Sequence, residues 1–502
     1  MVLIEEQNNQ EFWFTEQLSK FIPTNHISRE VIDFVEEHYE DYFDDVSDKS
    51  EGRPAYSVKT LLKILIYGSV DCVNATERIY EHLEFHQVYQ FVAGGLKPSA
   101  RTLRRFKKKN KYLIEKMHED LLKEAVKEGL TDFNHVSIDG TIVKANNSSY
   151  NMIRLEEIDF CLDLLKLSEK KIKEYLNDKN NDKVRESVYK ILIDKNKSVE
   201  EKITFLNDLK AVLKESGQSS VGTHSKDARW MKNKKDRVEL SFNIQAAVDY
   251  QSKLIISLNV VQDPTDHNQL IPQIQKVLWT INKYPEKISA DYAYRGEKEF
   301  KFLKDNGIDG YIPNQKQTRE HKGKIHENPY HKDNFQYNSE KDIFKCPQKQ
   351  ILEFKKEYTY GNSVHRLYYT SECKKCSERE KCTKSETRTI TEYGTILSKE
   401  MSEKMNSPEG KLEYKKRSST VEPVFGILKL HHGLENIQQK EIDSVQTELT
   451  LMAIGYNFKR ISNLKKKNKN KQNNKKIFQN FFKMLNEKFP NAKINKEIYL
   501  KI

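Results

Sequence analysis

The chain has 502 residues, 37% of them hydrophobic and 32% charged, with a formal net charge of +12. It is long enough for two or three domains and too apolar for wholesale disorder, and its positive balance suggests an anionic partner, most simply nucleic acid. No apolar run of about 18 residues marks a membrane span, and residues 1–20 hold several acids and no signal-peptide core, so a cytoplasmic, nucleoid-associated chain is expected.

From Ser28 to about Leu130 the pattern is helical. GRPAYSVKTLLKILIYGSV opens on a turn and then spaces Leu61, Leu62, Leu65 and Ile66 for one helix face. After Gly94-Gly95 and Pro98, Ser99 is a candidate N-cap for a helix carrying Arg101, Arg104, Arg105, Lys107 and Lys108. A turn followed by a basic helix suits a helix-turn-helix reader of DNA, with these five cations as DNA contacts. A plain bundle with a solvated basic face suits it equally.

VSIDGTIVKAN, Val136 to Asn146, reads as strand. About 150–220 then reads as an inserted helical hairpin, rich in Lys and Glu. VELSFNIQAAVDY and KLIISLNVVQDP form a strand pair joined by the turn from Asp249 to Lys253. DHNQLIPQIQKVLWTI is a helix, capped by Asp263 or Asp266. KISADYAYRGEKEFKFLKDNGIDGYIP reads as strand, loop, helix and strand. The order predicts a mixed α/β sheet. Residues 318–400, rich in Tyr, Phe, Thr and Cys, form a second, β-rich insertion. Lys411 to Arg460 is helical, and a Lys/Asn tract comes after it that would either hold phosphates or form a disordered tail.

Three acids stand at conspicuous points: Asp139 within the first strand, Asp291 at a strand end, and Glu422 at a helix start. Oxygen-only donors suit Mg²⁺ or Mn²⁺, and two such ions about 3.5–4 Å apart can activate an attacking oxygen and stabilise a leaving one. Each acid alone also has a plainer reading, as a hairpin turn, a residue leading into a helix, or a first-turn acid facing the helix dipole.

Read together, five ordered segments resemble the bacterial insertion-sequence transposases of the Asp-Asp-Glu type, nearest the IS-eleven-eighty-two group of the IS-four-like assemblage. GRPAYSVKTLLKILIYG with FVAGGLKPSARTLRRFKKK is similar to that family's helical N-terminal domain. VSIDGTIVKANNS, DARWMKNKK with FNIQAAVDYQSKLI, ISADYAYRGEKEF and RSSTVEPVFGILK are similar to its successive catalytic segments. The similarity spans roughly residues 25–460. It implies an RNase H-like core in which Asp139, Asp291 and Glu422 bind the metal ions. It also implies cleavage and strand transfer at terminal inverted repeats of double-stranded DNA, and a homo-oligomer, at least a dimer when bound to DNA. The assemblage carries Tyr, Arg, Glu and Lys along one helix. Tyr414, Arg417, Glu422 and Lys429 keep the Tyr-to-Arg and Glu-to-Lys spacings, while the Arg-to-Glu gap is one residue longer. Arg417 and Lys429 would neutralise phosphates.

The expected layout is therefore a helical DNA-binding domain over 1–130, a catalytic domain over 131–458 with its two insertions, and a basic tail over 459–502. Cys346, Cys373, Cys376 and Cys382 supply four thiolates, enough for a closed structural Zn²⁺ site, with His365 as a substitute ligand; free thiols are the alternative. Cys72 and Cys161 fall in helical patterns as core residues. Trp230 reads as a packing residue. A DNA-binding protein without catalysis, or a metal-dependent nuclease that does not join strands, are the other functional readings.

Overall fold

A computed structural model describes residues 17–39, 55–148, 150–167, 171–172, 186–233, 236–321, 323, 328–338, 340–360, 363–393 and 396–488. Six helices come first: α1 (Ile27–Tyr39), α2 (Val58–Val70), α3 (Thr76–Phe85), α4 (Gln87–Val92), α5 (Ala100–Lys109) and α6 (Lys111–Lys127). The Ser99 hydroxyl caps α5, accepting from the Thr102 amide at 3.2 Å, as the turn chemistry before it leads one to expect.

The central sheet is built from β1 (His135–Lys144), β4 (Arg229–Lys232), β5 (Val238–Asp249), β6 (Ile255–Val261), β7 (Lys287–Ala290) and β8 (Asp309–Tyr311). β5 runs antiparallel to β1, and its other edge takes β6 and β4; β7 and β8 follow β1 in parallel, giving the path β4-β5-β1-β7-β8. β1 alternates its faces with the two-residue period of a strand. Val136 and Ile138 point into one core and Val143 into another. The β5–β6 turn forms where expected, Asp249 accepting from the Ser252 amide and hydroxyl, each at 2.6 Å.

Between β1 and β4 stand β2 (Met152–Arg154), α7 (Leu155–Leu164), α8 (Glu186–Ile193), α9 (Val199–Ser216) and β3 (Ser220–Gly222). β2 pairs with β3 at the base of these helices, which bury their own apolar cluster of Ile158, Cys161, Leu206 and Leu209. After β6 come α10 (Leu270–Ile281), then α11 (Glu297–Asp305) between β7 and β8, and α12 (Gln315–His321). A second sheet of β9 (Gln336–Asn338), β10 (Ile343–Lys345), β11 (Ile351–Tyr360), β12 (Ser363–Tyr369) and β13 (Thr389–Tyr393) is a meander, in the order β13-β12-β11-β10-β9. The short α13 (Arg379–Cys382) lies between its last two strands, and α14 (Ile396–Asn406), α15 (Pro408–Ser418), α16 (Val421–Leu430) and α17 (Ile442–Lys488) complete the described chain.

The N-terminal helices are not a separate bead. Leu62, Leu65, Leu121 and Leu122 share one buried cluster with Val136, Ile138, Ile288 and Ala290 of the sheet and with Leu451, Ile454 and Phe458 of α17. α17 crosses α2 so closely that a Cβ on Gly455 would overlap the Ser69 backbone. The basic Lys/Asn tract also differs from a disordered tail: α17 runs through it to Lys488. The buried residues up to Ile461 start the helix, and Lys and Gln propagate it at little cost. Among the described residues no helix is long and apolar enough to cross a membrane.

Candidate active site

The site grows from the β1–β7 register. His135 to Ile138 of β1 pair with Lys287 to Ala290 of β7, and Ile138 faces Ala290. Asp139 and Asp291 are the next residue on each strand. β7 ends there, while β1 continues beside β5, so the two acids stand at the carboxyl end of a parallel pair, where α/β sheets commonly bind ligands. Asp291 turns the chain, its Oδ1 accepting from the Tyr292 amide at 2.6 Å.

The third acid arrives on α16. Val421, Val424, Phe425 and Leu428 of this helix bury against Val143, Phe242, Ile244 and Ala246 of the sheet. Because Ala246 is the cross-strand partner of Asp139, α16 covers the same sheet face as the Asp139 carboxylate. Glu422 lies in the first turn of α16 and is 59% exposed.

One cation joins them. Arg417 Nη2 lies 2.8 Å from Asp139 Oδ1, and Nη1 lies 3.7 Å from Glu422 Oε1. The arginine side chain is only 9% exposed and Asp139 only 13%. Burial works against the guanidinium's charge, but Asp139, and further Asp291 and Glu422, hold its pKa above the ordinary value. The assemblage's single Tyr-Arg-Glu-Lys helix is divided in this chain, with Glu422 at a helix start as read from the sequence. Tyr414 and Arg417 are on α15, Glu422 and Lys429 on α16, with a break at Ser419 and Thr420. The extra residue between Arg417 and Glu422 falls at this break. Lys429, two turns beyond Glu422, pairs with Glu435 at 3.9 Å.

Carboxylates are the donor type that suits a hard divalent cation, and two of the three, Asp139 and Glu422, already face the Arg417 guanidinium. Arg417 lies between Asp139 and Glu422, and no group of three or more His, Cys, Asp or Glu among the described residues stands ready to hold a metal ion.

The chain reading missed a buried polar network behind Asp139. Asp266 does not cap α10, which begins after Gln269 without a side-chain cap; Asp263 instead accepts from the Gln269 amide side chain at 2.6 Å. Asp266 Oδ1 accepts from Gln245 Nε2 at 2.6 Å and Asn243 Nδ2 at 3.0 Å. Tyr294, 1% exposed, donates its hydroxyl to Gln245 Oε1 at 2.5 Å. Its phenol is held well above the usual pKa by burial first, then by Asp266, Asp139 and Asp291. This network fills the space over Gly140, where a Cβ would overlap Asp266 Oδ1 and Gln245 Nε2. The signal was present in β5: Asn243 and Gln245 are polar at alternate positions of an otherwise apolar strand.

The five cations of α5 expected to contact DNA meet different fates. Arg101 and Arg105 are exposed. Arg104 is paired with Glu77, and Lys108 with Glu441 at 2.7 Å. Lys107 is 5% exposed, and burial, despite Glu448 and Glu77, lowers its pKa. Lys107, Arg104 and Lys108 line a cleft of about 580 Å³ between α3, α5 and the start of α17.

In the second sheet, Cys346, Cys373, Cys376 and Cys382 line one cavity of about 30 Å³. The Gln350 amide donates to Cys346 Sγ at 3.3 Å and the Arg388 amide to Cys373 Sγ at 3.4 Å. Burial first, and then the three neighbouring thiols, raises the Cys382 pKa against the opposing pull of Arg388. His365 is stacked on Tyr358, with ring centroids 5.1 Å apart, and is not among the residues lining that cavity. Cys161 is in a core as expected. Cys72 is not: it stands in the turn after α2 with a φ of 64° and is partly exposed. Trp230 packs, its Nε1 donating to the Ser220 carbonyl at 3.2 Å.

No curated protein matches the chain. Residues 16–109 match the family model described as Transposase domain (DUF772), and residues 345–462 match the Transposase DDE domain. The second segment contains the four clustered cysteines, Arg417, Glu422 and Lys429, and begins after Asp139 and Asp291. The chain is therefore similar to transposases in two segments, one in the helical region and one around the third acid.

Proposed function

We propose that the chain is an insertion-sequence transposase that cuts DNA at the ends of its element and joins them to a target, on an RNase H-like core. The observation that carries this reading is the pairing of Asp139 and Glu422 with the Arg417 guanidinium, beside the ends of β1 and β7 where Asp139 and Asp291 follow a paired register. Mg²⁺ or Mn²⁺ held by these acids would supply activation of the attacking oxygen and stabilisation of the leaving oxygen.

The chain's own residues do the rest. Pairing of β1 with β5 and β7 holds Asp139 on a rigid strand, while the Gln245–Asp266 network braces it from behind. Arg417 offers a planar fork and Lys429 a point charge to phosphate oxygens. The reaction begins with hydrolysis of a phosphodiester, which frees a 3′-hydroxyl. That hydroxyl then attacks a phosphodiester of the target, forming one P–O bond and breaking another. The helical region, through exposed cations such as Arg101 and Arg105, binds the terminal inverted repeats as part of a homo-oligomer. The four cysteines hold a structural Zn²⁺ that staples the second sheet.

The test is strand cleavage and joining on DNA carrying the element ends, with Mg²⁺, for wild type and Asp139→Asn. Wild type should cut and join, and the variant should bind the same DNA while losing roughly 10²-fold or more in rate. Binding without cutting by wild type would leave only a DNA-binding protein; cutting without joining would leave a nuclease.

A further inference from the structure

We infer that Arg417 is the internal occupant of the cation site formed by Asp139 and Glu422, so that a divalent ion enters only by displacing its guanidinium. The inference rests on the reading of these acids as metal ligands. Arg417 spans the two carboxylates, 2.8 Å from Asp139 and 3.7 Å from Glu422, and a carboxylate oxygen engaged by a charged fork is not free to coordinate metal. Retaining the guanidinium beside an incoming dication would place like charges together in a largely buried site, where screening by water is weak. One of the two cations must leave.

The structure also indicates which one moves. Arg417 Nε is buried without a hydrogen-bond partner among the described residues, so the side chain is held through its terminal nitrogens alone. It projects from the last turn of α15, immediately before the break at Ser419 and Thr420, whereas Asp139 is fixed in mid-strand by pairing with Ala246 of β5. Arg417 is thus a positioning residue with two stations. It keeps the carboxylates together before loading, and once displaced it leaves a free fork beside the site for a phosphate.

Calorimetric titration of Mn²⁺ into the full chain, without DNA, tests this. Arg417→Gln should bind Mn²⁺ roughly tenfold tighter or more than wild type, the change expected when one charge-assisted contact no longer competes. Arg417→Lys, with a single-point contact in place of a fork, should fall between them. Asp139→Asn should lose the site. If both arginine variants bind no tighter than wild type while Asp139→Asn loses binding, the acids hold metal and Arg417 does not compete, which overturns the inference alone. If Asp139→Asn binds Mn²⁺ as wild type does, the metal-site reading falls and takes the inference with it. Should Arg417→Gln lose its cooperative thermal melt, Arg417→Lys decides: tighter binding supports displacement, equal or weaker binding refutes it.

Discussion

Arg417 on α15 and Asp139 on β1 form an ion pair of 2.8 Å in which both side chains are largely withdrawn from water. The pair ties a helix beyond the second sheet to the central strand of the first, and it determines where the positive charge of the site resides. Four predictions extend from this site outward.

Gly140 lies next to Asp139, and its missing Cβ is the space that Asp266 and Gln245 occupy. Gly140→Ala should destabilise the fold by about 1–3 kcal/mol through overpacking, measured by urea unfolding. In the double variant with Asp266→Ala the two costs should not add, since the groups are in contact. Strict additivity would mean that the crowding lies elsewhere.

On α5 the exposed and buried cations should separate in their effects. Arg101→Ala and Arg105→Ala should each lower the salt dependence of DNA binding by about one phosphate contact. Lys107→Ala should leave that slope alone and instead cost about 0.5–3 kcal/mol of stability, because its buried stem is lost. Salt titrations of DNA binding and thermal melts distinguish the two outcomes.

Acid should weaken the fold through buried histidines. Burial holds His118 neutral, with its pKa lowered to about 4 although the Ile255 carbonyl favours its charge, and Nε2 stands 3.1 Å from that carbonyl. The unfolded chain takes up this proton near pH 6.5. The stability is therefore fully present above about pH 6.5 and is lost as pH falls toward 4. His135 and His432, also lowered to about 4 by burial, act in the same direction. His118→Gln should flatten the fall of melting temperature between pH 6.5 and 4; an unchanged slope would exclude His118 as a contributor.

The second sheet has a small core of Phe335, Phe344, Leu352, Tyr368 and Ile390, little for five strands to fold around without a staple. Elemental analysis should find about one zinc per chain, absent in Cys376→Ser. Limited proteolysis of the metal-free protein should then cut within residues 336–393. Equal resistance with and without metal would show that the thiols are not a structural metal site.

Much of this was legible along the chain. Periodicity and turn chemistry marked α2, the Ser99 cap, the β5–β6 turn and the strand-helix-strand from β7 to β8, because neighbours in sequence decide those features. Asp139, Asp291 and Glu422 were visible as acids in unusual company. Asp263 or Asp266 reads as a cap because local rules treat an Asp before a helix that way, and Asp266 has another role. Its true partners, Asn243 and Gln245, are polar for a reason that appears only once β5 lies beside β1.

The sequence by itself determined the elements, the net charge and the residue types available for chemistry, since these come from local conformational preference and composition. Only the tertiary structure decided that α5 spends three of its cations on burial and ion pairs, that the N-terminal helices share a core with the sheet, and that Arg417 faces Asp139. Those outcomes depend on groups far apart in the chain competing for the same buried space and charge, and no local pattern encodes which of them wins.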